Sequence, residues 1–136
     1  MLGRKNYEQD EIDRARAAVE RQLIAYRKLA GAVSDPSALE DFDEPFFATL
    51  MLALDRPFVH RLRTATGKDT NALNEVELIV DALINNVGVF RGASVIKYVP
   101  EQSVVGLRPG DRVSLTADQF ERLADAFFTE LDRKFR

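Results

Sequence analysis

The segment Asp43–Arg63, DEPFFATLMLALDRPFVHRLR, decides how the rest of the chain is read. Phe46, Phe47, Leu50, Met51, Leu54, Phe58 and Leu62 recur at helical spacing, which predicts a long helix over 44–64 with a broad apolar face. Asp43 stands in capping position, and Pro45 falls in the first turn, where its missing amide does little harm. Pro57 lies inside the pattern. It cannot donate to the carbonyl of Ala53, so a kink or a break is expected there.

A helix with so wide an apolar face needs other apolar faces against it, and the flanking sequence supplies them. Upstream, Ile12, Ala15, Val19, Leu23, Tyr26 and Ala30 form one stripe of a helix over 7–30. Asn6 and Gln9 have capping-box spacing at its start, and Gly31 is placed to end it. Asp35-Pro36 reads as a cap followed by a short turn that ends near Phe42. Downstream, Leu73, Val76, Leu78, Ile79, Val80, Leu83 and Ile84 cover most of a helix over 72–86, capped by Asn71 or Asp69. A helix apolar nearly all round belongs at the centre of a fold. Thr116 and Gln119 form a further capping box and open a helix over 117–134, which carries Phe120, Leu123, Phe127, Phe128 and Leu131.

Between the third and last helices the residue types change. Val95–Val99 is β-branched and aromatic, and Pro100 ends it. The stretches 104–107 and 112–115 flank Arg108-Pro109-Gly110-Asp111, a turn signal. Strands over 95–99, 104–107 and 112–115 are expected. The fold class is then α+β, mainly α: four long helices packed as a bundle, with a short β-hairpin or three-stranded sheet at one end.

Length and composition fit one domain over 1–136. The 19 basic and 22 acidic residues leave a net charge of −3, which disfavours nucleic acid as a partner. With no cysteine, thiol chemistry, disulfides and cysteine-ligated metals are excluded. No apolar run has the length of a membrane span, and the opening residues lack the apolar stretch of a signal peptide, so a cytoplasmic setting is expected.

Candidate chemistry gathers in 55–71. On a continuous helix over 44–64, Arg56, His60 and Arg63 share a polar window with Thr49, Asp55 falls at one edge of the apolar arc, and Arg61 falls inside it. Asp81 is similarly placed on the third helix. A charge taken out of water costs several kcal/mol, of order 3–5, unless it is paired. The spacing therefore predicts a structural ion pair of Arg61 with Asp55, Asp81 or both. The alternative is a polar pocket between the second and third helices, in which Arg56, His60, Arg61, Arg63, Lys68 and Asp81 bind an anionic ligand near the amides that open the third helix. Gly67-Lys68-Asp69-Thr70 is not a phosphate-binding P-loop. Leu62 stands where that motif needs glycine, and Asp69 where it needs a hydroxyl. With one histidine and no Glu-x-x-His pairing, neither a metal site nor a cofactor is expected.

The aromatic pairs Phe46-Phe47 and Phe127-Phe128 point about 100° apart on a helix, so both rings of a pair cannot face one narrow core stripe: either the helix is deeply packed, or one ring is a surplus left for a partner. That surplus, with the broad face of the second helix, leads to the expectation of a homodimer. The run LDRPFVHR over 54–61, with Gly67-Lys68-Asp69 and Leu73-Asn74-Glu75, resembles a set of small bacterial proteins without an assigned activity. The resemblance extends through the 104–115 region into the last helix. It implies a bacterial cytoplasmic setting and carries over no catalytic residue. The leading functional expectation is a non-enzymatic interaction module.

Overall fold

The computed structural model describes residues 3–136. Its helices are α1 (Gln9–Ala32), α2 (Pro36–Asp55), the single-turn α3 (Arg63–Thr66), α4 (Ala72–Asn85) and α5 (Ala117–Phe135). Tight turns follow α2 at Arg56–Phe58 and precede α5 at Pro100–Gln102. α4 packs against α2 and α5, and α1 lies across α2 and α5. No helix among the described residues is long and apolar enough to cross a membrane.

Local chemistry sets these boundaries. The Asn71 side chain accepts the amide of Asn74 at 3.0 Å and opens α4. Thr116 and Gln119 exchange side-chain and backbone bonds at the start of α5. α1 starts later than its stripe suggests, because Glu8 and Glu11 form the box in place of Asn6 and Gln9. Asp35 accepts the Ser37 amide, and the helix it opens does not stop near Phe42. α2 runs unbroken from Pro36 through Pro45 to Asp55, so Asp43 is an interior residue of α2. Pro45 removes only one interior bond, while Pro57 ends the α-helix, and the chain passes into the tighter turn.

α4 is buried on nearly every side, from Ala72 through Val80 with only Glu77 partly open. Phenylalanines fill the space around it. Phe58 meets Phe128 edge-on at 6.3 Å between ring centroids, and Phe47 meets Phe120 at 5.8 Å. Such aromatic pairs contribute roughly 0.5–1.5 kcal/mol each beyond the area they bury. Tyr26 ties α1 to α2 by donating to Asp43 at 2.6 Å. Its burial, together with that carboxylate, pushes its hydroxyl pKa up to about 12.

The expected hairpin does not form, and among the described residues the fold is all-helical rather than α+β. Each of the three β-prone stretches bonds to something other than its neighbour. Lys97 donates its amide to the carbonyl of Lys68 at 2.7 Å, and Thr70 bridges Lys97 and Val99. The amides of Val104 and Val105 go to the Glu75 carboxylate. The turn at Arg108–Asp111 does form, but it pairs with the segment leaving α4. Gly110 donates to Phe90 and Phe90 to Asp111, both at 2.8 Å, beside a lone antiparallel bridge between Val89 and Arg112. The β-branched residues serve here as apolar plugs: Ile96, Val113 and Leu115 are buried against the helices. Strand propensity measures fit to a half-buried surface, and a helical surface satisfies it as well as a sheet.

Candidate functional site

Arg61 follows the proline turn at the end of α2 and points inward. Its guanidinium donates to Asp55 Oδ1 at 3.0 Å, to the Phe58 carbonyl at 2.9 Å and to the Leu73 carbonyl at 3.3 Å. The side chain is only 4% exposed and lies over the Phe127 ring. These bonds join the end of α2, the proline turn and the first turn of α4. An extended strap covers the same place: Arg4 pairs with Arg61 in a parallel bridge, donating to the His60 carbonyl at 2.7 Å and accepting from Leu62 at 2.9 Å. Gly3 sits so close to Leu62 that a Cβ there would come within 2.7 Å of the Leu62 Cα. Tyr7 ends the strap, buried edge-on against Phe58. Burial raises the pKa of its hydroxyl.

Asp81 does not reach this pair. It accepts from Asn85 at 3.0 Å and from Arg91 at 3.1 Å, and both bonds lower its pKa. The wheel placed Asp81 near Arg61 by assuming one continuous helix past Pro57. The break re-aims every residue after Arg56.

Arg63 also turns inward, to a different place. It donates to Asn74 Oδ1 at 2.7 Å and to the Gly67 carbonyl at 3.3 Å, and it pairs with Glu77. Asn74 is fully buried and donates to the carbonyls of Gly67 and Asp69. Gly67 has a φ of 85°, and a Cβ there would meet Asp69 Oδ1 at 2.9 Å. The loop before α4 is thus closed on itself, and Asn71 occupies helix amides that an anion would need. Arg56, His60 and Lys68 are exposed, and none of their side chains forms an ion pair among the described residues. The six residues expected to share a ligand pocket are dispersed over separate surroundings.

One buried carboxylate escaped the sequence reading. Glu75 is 1% exposed, and its two oxygens accept the Val104 amide at 2.8 Å and the Val105 amide at 2.9 Å. Burial raises its pKa, and the two amide bonds pull it back only in part. The signal was available: a carboxylate among Leu73, Val76 and Ile79 on a central helix must find donors inside the protein.

One exposed feature of the bundle is apolar. Pro45–Leu54, PFFATLMLAL, is uncharged around its whole circumference, yet α2 lies at the edge of the bundle. Pro45, Thr49, Leu52 and Ala53 are exposed, and Phe42 before them is 40% exposed. Beside them a groove of about 290 Å³ runs between α1 and α2, lined by Ala15, Ala18, Phe46, Thr49, Ala53 and Pro57. The other side of α1 differs. Its opening toward α5 is bordered by Arg27 paired with Asp118 and Glu121, and by Arg16 near Asp125. Among the described residues, no group of histidine and carboxylate side chains is arranged to hold a metal.

No family model matches this chain, and neither a curated protein nor a solved structure is found to resemble it.

Proposed function

We propose that this protein is a non-enzymatic interaction module that works as a homodimer, joined through the outer face of α2 and its groove with α1. One observation carries the reading: an uncharged helical segment stands at the edge of the bundle with one side in water. A helix apolar all round is stable where every side is covered. A contiguous apolar surface on a soluble domain marks a place of contact. Two helices side by side, each about 30 Å long and about 10 Å wide, offer roughly 600 Å² per copy. Doubled, that reaches the lower end of the roughly 1,200–2,000 Å² buried by stable complexes. The polar residues weighed as a ligand site lend no support to an enzyme, because Arg61 and Arg63 are engaged within the fold and the others lie apart.

Light scattering after size exclusion tests the reading. The protein is expected to run as a dimer. Ala53→Glu sets a charge on the exposed face without touching the core, so it is expected to give a monomer with unchanged helical circular dichroism. A chain that stays monomeric up to its solubility limit would overturn the proposal.

A further inference from the structure

Five residues of α2 and its cap point outward at helical spacing: Asp41, Pro45, Thr49, Leu52 and Arg56. Their separations of four, four, three and four keep them on one stripe, and all five are exposed. Arg56 is the C-cap residue and keeps right-handed helical dihedrals (φ −53°, ψ −47°), so the stripe reaches it without a bend. The stripe carries one acid at one end and one base at the other, with nothing charged between. Among the described residues neither Asp41 nor Arg56 forms an ion pair, although the neighbouring Glu44 pairs with Arg112. The two charges lie fifteen residues apart on the helix, about 22 Å, too far to meet within one chain.

We infer that a second copy of this chain docks with its α2 antiparallel to the first, across a twofold axis between Ala48 and Thr49. This rests on the homodimer reading above and specifies its geometry. Under that operation the Asp41 of each copy faces Arg56 of the partner subunit, and Pro45 faces Leu52. The ion pair is thereby made twice, as an isologous contact requires. Ala48, Thr49 and Ala53 are small, so the helix backbones can approach closely at the axis. A parallel pairing would set Asp41 against Asp41 and Arg56 against Arg56, and like charges oppose it.

Charge exchange tests the geometry, with the dissociation constant read by sedimentation and folding checked by circular dichroism. Asp41→Arg and Arg56→Glu are each expected to weaken the wild-type dimer by about tenfold or more, since each sets like charges face to face twice. The double variant restores opposite signs across the axis and is expected to return to within about threefold of wild type. A mixture of the two single variants is expected to form a heterodimer about as tight as the wild-type dimer, because both of its contacts across the axis then join opposite charges. A wild-type dimer that Ala53→Glu disrupts, but that ignores both single reversals or is not recovered by the double one, overturns the antiparallel geometry and leaves the dimer standing. A monomeric wild type overturns both.

Discussion

α2 and α4 are the two most apolar helices of the chain, and the fold treats them differently. α4 is enclosed between α2 and α5, and even its polar residues Asn74 and Glu75 are drawn inside and given partners. α2 presents one side to α4 and leaves the other in water, with no charge from Pro45 to Leu54. The difference teaches that apolar content does not by itself place a helix at the centre. α4 is central because other elements end on it: Arg61 bonds its first turn, Glu75 holds the 104–105 loop, and Arg63 and Asn74 close the loop before it. α2 has no such attachments on its outer side, which is why its exposed face calls for another surface.

The largest effect is expected where the two helices are joined. Arg61→Ala would leave Asp55 buried without its cation and release the carbonyls of Phe58 and Leu73. A loss of about 3–5 kcal/mol is expected in urea unfolding, the range for breaking a buried pair. A loss below about 1 kcal/mol, the level of a surface ion pair, would mean that the join is dispensable.

The same join shows how far the sequence can be read. Helices, caps and the proline break are legible because they follow from local chemistry: Asn71 and Thr116 cap with side chains that reach amides only three residues away. The Asp55–Arg61 contact is legible because two charges near an apolar arc need each other. Asp81 is misplaced because a helical wheel cannot follow the chain around Pro57. The hairpin is misread because Val104 and Val105 find their acceptor in Glu75, some thirty residues away in sequence, and no local pattern announces that bond. His60 and Arg63 share a polar window with Arg56 only while 44–64 is taken as one helix.

A pair of equal truncations sharpens the contrast. Ile79→Ala in α4 is expected to cost about 2–5 kcal/mol, because it empties a fully buried site. Leu52→Ala in α2 removes a side chain that is 37% exposed and is expected to cost less than about 1 kcal/mol in the unfolding of dilute, monomeric protein. Similar losses at the two sites would erase the distinction between an enclosed helix and an open one.

The smallest effect is a dependence on pH carried by Glu75 in α4. Burial raises the Glu75 pKa above its ordinary value of 4.5. A carboxyl raised in the folded state binds its proton more tightly there than in the unfolded chain. Its contribution to stability is therefore greatest below 4.5 and declines as pH rises through the folded value. Glu75→Gln keeps the shape without the ionisation. The urea midpoint of wild type, taken relative to this variant, is expected to fall as pH is raised from 4.5 through the folded pKa. A relative midpoint that rises over that interval would mean that the two amides outweigh burial.

The strap at Arg4–Tyr7 bears on the order in which the molecule assembles. Its backbone partners are His60, Leu62 and Phe135, and it makes no regular structure of its own. Closing such distant loops costs chain entropy before any contact is gained. The strap can settle only when the proline turn and the end of α5 already stand in place, so slowed amide exchange at Arg4 and Tyr7 would time the final step of folding.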